Sequence, residues 1–188
     1  MPGAGTGNRR VTVHEPVAST AGGSITIEPM TPADWPAVRR IHSQGIATGV
    51  ATLDPTTPEW EAWDAGHRAD CRFVARRNGE IVGWVALGTY SDRPVFAGVA
   101  WESVYVAASA RGSGVGRALL ERLIAASEAA GIWTLLAGVL ADNAASRALH
   151  RRVGFREVGI NRRIGRDREG RWRDVVLLER RSERVAGG

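Results

Sequence analysis

The segment VYVAASARGSGVGRALLERLIAA, Val104–Ala126, carries three kinds of structure in a row. Val104, Tyr105 and Val106 end an apolar run that starts at Val99 and predicts a strand. Arg111-Gly112-Ser113-Gly114-Val115-Gly116 follows as a glycine-rich loop. After Gly116, Leu119, Leu120, Leu123 and Ile124 recur at helical spacing, with Arg117 and Glu121 one turn apart on the other face. Glycines let backbone N–H groups turn inward without Cβ obstruction, and a helix N-terminus adds free donors and a positive dipole end. A strand, such a loop and such a helix together suit a pyrophosphate. The spacing Arg-x-x-Gly-x-Gly is neither a Walker motif nor the dinucleotide fingerprint, and an ordinary tight loop would look the same in isolation.

Outward from this segment, helix and strand signals alternate. Ser24–Glu28 reads as a first strand. Thr31-Pro32-Ala33-Asp34 is a helix start with a hydroxyl cap and a proline in the first turn, and predicts a helix to about Ser43. Thr57-Pro58-Glu59 repeats that chemistry ahead of Trp60 and Trp63. Cys71–Ala75 and Ile81–Leu87 are apolar runs joined through Asn78-Gly79, a hairpin signal. Trp133–Leu140 reads as a strand buried on both faces. Asp142-Asn143 opens a helix to about Arg152, closed at Gly154. Phe155–Glu179 reads as two strands around the polar loop Gly165–Gly170. The order β-α-α-β-β-β-α-β-α-β-β is a mixed α/β, or α+β, layer fold.

The 188 residues fit one domain, placed at 24–182, with disordered tails at 1–23 and 183–188. Hydrophobic residues at 44% and charged residues at 24% make a globular balance. No apolar run reaches the ~18 residues of a membrane span, and residues 1–23 lack the apolar core of a signal peptide. Cys71 is the single cysteine, so a disulfide framework within the chain is excluded. The cytoplasm is the expected compartment. The net charge is +5, and all 25 basic residues are arginines. They are scattered along the chain rather than gathered on one element with interleaved aromatics, which argues for an anionic small ligand over nucleic acid.

Arg111-x-x-Gly114-x-Gly116 after an apolar strand resembles the acetyl-CoA loop of the GNAT N-acetyltransferases. Asn143-x-x-Ser146-x-x-Leu149-His150-x-x-x-Gly154-Phe155 resembles that superfamily's second signature. Within it, Glu102-Ser103-Val104-Tyr105-Val106, Leu149-His150, Gly170-Arg171-Trp172-Arg173-Asp174 and the Ile46–Pro58 segment are similar to the phosphinothricin and methionine-sulfoximine acetyltransferases. The resemblance spans roughly Ile25–Arg180. It implies a central twisted mixed sheet of about seven strands with about four helices, splayed in the middle to hold acetyl-CoA. It also implies transfer of acetyl to the α-amine of a small amino-acid-like substrate, in a homodimer paired through C-terminal strands and helices, with no metal.

The resemblance further implies roles for particular residues. Val104, Tyr105 and Val106 would offer main-chain donors to the thioester arm. Arg111, Gly112, Ser113, Gly114, Val115, Gly116 and Arg117 would hold the pyrophosphate, and Asn143 with Ser146 the pantetheine side. Glu102 is the expected base and His150 the group near the sulfur, able to protonate a departing thiolate near neutral pH. Arg93, Phe96 and Trp101 would contact the substrate. This sequence also departs from the pattern. The carboxylate stands three residues before Tyr105 rather than four, where Trp101 sits. In a regular strand that shift reverses the face, and a β-bulge would restore it. Leu53 replaces a usual aromatic, and Arg173 replaces a usual histidine. Cys71 has no neighbouring base and reads as a buried small hydrophobe rather than an acyl carrier. The readings left open are another amine, such as an aminoglycoside, a polyamine or a protein N-terminus, and a CoA-binding domain without catalysis.

Overall fold

The computed structural model describes residues 23–185. The tails expected at 1–23 and 183–188 lie outside them, apart from Gly23 and a turn at 183–185 whose amides at Arg184 and Val185 donate to Ser182 Oγ. The elements run β1 (Ile25–Pro29), a 3₁₀ turn (Pro32–Asp34), α1 (Trp35–Ala47), α2 (Trp60–Ala65), β2 (His67–Arg77), β3 (Glu80–Thr89) and β4 (Val99–Val106). Then come α3 (Val115–Ala129), β5 (Thr134–Leu140), α4 (Ala144–Arg152), β6 (Arg156–Arg166) and β7 (Trp172–Arg181). The expected element order is the observed one. α1 outruns its predicted end at Ser43 by a full turn, because Ile46 buries against the core and the chain turns away only at Gly49, at φ 68°.

The sheet order is β1-β2-β3-β4-β5-β7-β6, and only β4 and β5 are parallel. Asn78 and Gly79, at φ 52° and 81°, make the β2–β3 turn with the two positive φ angles that a tight hairpin requires. The sheet divides two cores. Val85, Leu87, Leu119, Leu120, Leu123, Leu135 and Leu178 pack under α3. Trp35, Val38, Ile41, Trp63, Val74 and Trp84 pack under α1 and α2. Because side chains alternate along a strand, each β4 residue commits to one of these faces. Ala100 and Val104 face the α3 core, and Tyr105 the α1 core.

Candidate active site

The glycine loop ends in a helix with no side-chain cap. Gly112 and Gly114 sit at φ 73° and 87°, a backbone region that a Cβ penalises. Gly114 is the N-cap of α3, and the first bond of the helix is Ala118 N–H to Gly114 C=O. The amides of Val115, Gly116 and Arg117 therefore precede the first intrahelical donor, Ala118 N–H, and are left to a ligand or water. Ser113 Oγ donates to Ala110 C=O and accepts from Arg77 Nη2, and Arg111 lies exposed beside Val106. Orphan amides, a positive helix end and flanking guanidiniums fit a diphosphate. Gly116 serves another purpose. A Cβ there would lie 2.9 Å from Leu149 Cδ2, so its smallness lets α3 lie against α4.

Next to the loop the sheet opens. β4 and β5 pair only from Val99–Thr134 to Trp101–Leu136, while β4 stays paired with β3 as far as Val106. Ala107 N–H bonds Val82 C=O on the β3 side. By alternation, the N–H groups of Val104 and Val106 are directed into the opening, while that of Glu102 still faces Leu136 of β5 at the last paired position. This is the splay that the resemblance implied, edged with main-chain donors.

Beneath the opening, Glu102 and His150 form a buried pair, with Nε2 2.6 Å from Oε1 and side chains 1% and 3% exposed for His150 and Glu102. His150 Nδ1 lies 2.7 Å from Ser146 C=O, an acceptor only, so Nδ1 carries a hydrogen. Nε2 then faces a carboxylate, and the contact requires a second proton between them. Burial pushes the imidazole pKa down, but the charge and hydrogen bond of Glu102, with the Ser146 carbonyl, outweigh it and hold it above the ordinary value. Glu102 Oε2 has no partner among the described residues. The β3–β4 register runs without a shift from Gly83–Val106 to Thr89–Ala100, so the bulge that would turn Glu102 to the other face is absent. Glu102 shares the face of Ala100 and Val104, opposite Ser103 and Tyr105.

That opposite face holds a cavity of about 320 Å³ under the α1–α2 loop. His42 from α1, Asp54 from the loop, Trp63 from α2, His67 at the start of β2, Trp84 from β3, and Ser103 and Tyr105 from β4 line it. Trp84 and Tyr105 stack at 4.8 Å, and the His42 ring meets Tyr105 at 4.7 Å and Trp84 at 5.8 Å. Burial lowers the His42 pKa, opposed by Asp54 and assisted by His67. Burial also lowers that of His67, whose Nδ1 bonds Trp63 C=O. Burial pushes the Tyr105 hydroxyl up to about 12. The neutral imidazoles and the phenol make this an aromatic pocket with one carboxylate.

The remaining expected residues fall elsewhere. Arg93 is exposed and lies 5.3 Å from the Phe96 ring, which packs edge-on against Tyr90. Tyr90 in turn approaches Trp101 at 6.1 Å. These four make a separate cluster at the end of β3 and do not line the cavity. Asn143 caps α4, Oδ1 accepting from Ser146 N–H, and Nδ2 donates to Val50 C=O. Arg173 donates to Gly49 C=O, Asp142 and Asp167. Asn143 and Arg173 thus hold down the α1–α2 loop that roofs the cavity. Leu53 lies against Gly165 of β6 and lines a second, smaller depression beside Asp167. Cys71 is fully buried in the α3 core, and burial pushes its thiol up to about 11. Among the described residues, no group of three or more His, Cys, Asp or Glu side chains could hold a metal ion, and no helix is long and apolar enough to cross a membrane. His42 and His67 belong to no motif, and Asp54 lies within the Ile46–Pro58 segment without being singled out there. The only sequence signal for His42 is its place on the apolar face of α1, between Ile41 and Ile46.

The sequence profile of the Acetyltransferase (GNAT) family matches residues 35–155. Phosphinothricin N-acetyltransferase of Alcaligenes faecalis is 34% identical, over 84% of this chain and 82% of that one. L-methionine sulfoximine/L-methionine sulfone acetyltransferase of Pseudomonas paraeruginosa is 31% identical, over 83% of this chain and 94% of that one. A phosphinothricin acetyltransferase of Sinorhizobium meliloti, solved in complex with acetyl-CoA, superposes with a TM-score of 0.75 at 28% identity, over 86% of this chain and 91% of that one.

Proposed function

The chain belongs to the GNAT acetyltransferase family, and on that footing we propose that its acceptor is the α-amine of a small amino-acid-like molecule of phosphinothricin, methionine sulfoximine or methionine sulfone type. The enzyme is an acetyl-CoA-dependent N-acetyltransferase close to the phosphinothricin acetyltransferases. The observation that carries the acceptor reading is the cavity of about 320 Å³ on the Ser103–Tyr105 face of β4. Its size suits a small molecule. Asp54 offers a counter-charge to an ammonium, while Trp63, Trp84 and Tyr105 supply apolar wall. No guanidinium lines it among the described residues. That favours the uncharged sulfone and sulfoximine tails, which need hydrogen-bond donors, over an anionic phosphinate, which needs a cation.

Acetyl-CoA supplies the acetyl group as a thioester whose sulfur departs as a thiolate. In this reading the 112–117 amides, with Arg111, hold the diphosphate. The Val104 and Val106 N–H groups stabilise a carbonyl oxygen as it becomes negative. His150 Nε2 holds a proton, secured by Glu102 in the charged form, for the departing sulfur. Cys71, buried with its thiol pushed up to about 11, offers no acyl relay, which supports direct attack by the amine in a ternary complex. The same reading puts the enzyme in the cytoplasm, where acetylation would disarm a toxic amino-acid analogue. It also pairs two copies through the edge strand β6, where Val158, Ile160 and Ile164 are exposed, with Trp172 of β7 exposed beside them.

The test is thiol release from acetyl-CoA with methionine sulfone, methionine sulfoximine, phosphinothricin, ordinary amino acids, spermidine, an aminoglycoside and a short peptide. Turnover on the sulfone and sulfoximine above phosphinothricin is expected. Turnover confined to the polycations or the peptide would overturn the acceptor assignment.

A further inference from the structure

A zwitterionic amino acid reaches its enzyme as an ammonium, and the amine cannot attack until a proton is removed. The acceptor cavity opens on the face of β4 that presents Trp101, Ser103 and Tyr105, so no β4 carboxylate meets an amine held there. The titratable groups lining the cavity are His42, Asp54, His67 and Tyr105. The Tyr105 hydroxyl, pushed up to about 12, keeps its own proton. His67 stacks on Trp63 at 4.1 Å, its Nδ1 held by Trp63 C=O at the β2 end of the cavity. Asp54 brings a carboxylate to the cavity, a counter-ion for an ammonium held there.

His42 differs from the other three. Its side chain is 7% exposed, its ring lies against Tyr105 of β4, and its Nδ1 is buried without a partner among the described residues. Its Nε2 stands 3.8 Å from Asp54 Oδ2, too far for a direct hydrogen bond. A nitrogen about 2.8 Å from each atom fits between them. Resting on the acceptor reading above, we propose that His42 Nε2 takes the proton of the acceptor's ammonium while Asp54 holds that ammonium in place. With its hydrogen on Nδ1, the ring presents a lone pair at Nε2. One ammonium proton passes to Nε2, and the freed nitrogen pair forms the C–N bond as the C–S bond breaks. The nitrogen loses a second proton, equivalent to the one that the sulfur gains, and His42 returns its own proton to water. Burial keeps the imidazole neutral to lower pH than in solution, with Asp54 opposing and His67 assisting.

The experiment is the pH profile of kcat/KM for methionine sulfone in the wild type, His42→Gln, Asp54→Asn and His67→Gln, with acetyl-CoA affinity and thermal unfolding measured in parallel. The wild-type profile should fall on the acid side through an inflection below the ordinary histidine value. His42→Gln should lose about 10²–10³ in kcat/KM and lose that inflection, with acetyl-CoA affinity and unfolding unchanged. Asp54→Asn should raise KM and keep the inflection, and His67→Gln should keep it too. A His42→Gln enzyme with wild-type kcat/KM, or with its acid limb unmoved, overturns the proposal. A wild type that turns over only another amine of the panel removes the acceptor reading instead, and the same two readouts on that amine then judge His42.

Discussion

Replacing Glu102 with glutamine changes a proton count more than a shape. In the wild type His150 is bonded at both nitrogens, Nδ1 to Ser146 C=O and Nε2 to Glu102 Oε1, and the second contact needs an extra proton. The imidazole pKa is raised in the folded state. Between the unfolded value of about 6.5 and the folded value, the native state therefore binds one more proton than the unfolded chain. The stability from this pair is fully present below about pH 6.5 and is lost as pH rises through the folded pKa, at a slope of up to about 1.4 kcal/mol per pH unit. The glutamine of Glu102→Gln keeps the volume and can donate to a neutral Nε2, so His150 discharges rather than staying buried and unpaired. The cost is then of the order of one charge-assisted hydrogen bond, about 1.5–3 kcal/mol, rather than the larger penalty of a stranded buried charge. Urea unfolding of both proteins from pH 6 to pH 9 measures this. The wild type should exceed Glu102→Gln by the most at pH 6, and the gap should close as pH rises. Parallel curves would refute the shared proton, and a gap that widens with pH would reverse its sign.

The loop glycines and the edge strand can be probed in the same way. Gly114→Val places a β-branched side chain at φ 87° where nothing crowds it, so it should weaken acetyl-CoA binding in calorimetry by turning the loop amides away; unchanged affinity would remove the loop from the binding site. Gly116→Val instead drives a Cβ into Leu149 and should cost about 1–3 kcal/mol of stability in urea unfolding, partly restored by Leu149→Ala. Ile160→Arg, on the exposed face of edge strand β6, should convert a dimer to a monomer in light scattering with its circular dichroism unchanged, and a wild type already monomeric at assay concentration would refute that interface.

The elements were legible because each is punctuated locally. Asn78-Gly79 takes the positive φ pair of its hairpin, Asn143 caps α4, and Gly114 opens α3 at positive φ. The opening between β4 and β5 was accessible only through the family likeness, since no local rule says where two parallel strands stop pairing. Gly116 shows how one letter can serve two purposes. Its place in the loop pattern points to an anion, while its contact with Leu149 comes from helix packing that spacing alone does not reveal. Glu102 is the harder case, because one residue of register decides its face and the sequence permits either a regular strand or a bulge. The unbroken β3–β4 pairing puts the carboxylate with His150, and the pocket side of β4 is left with Trp101, Ser103 and Tyr105. His42 and Asp54 face that side from α1 and its following loop. Both lie far along the chain from β4, His42 outside every motif and Asp54 inside the Ile46–Pro58 segment, and they meet Ser103 and Tyr105 only because α1 packs across β3 and β4. On the proposal made for His42, a base that a shift of one residue turns away from the pocket side of a strand is supplied by a helix lying across that strand, a juxtaposition visible only once the chain is packed.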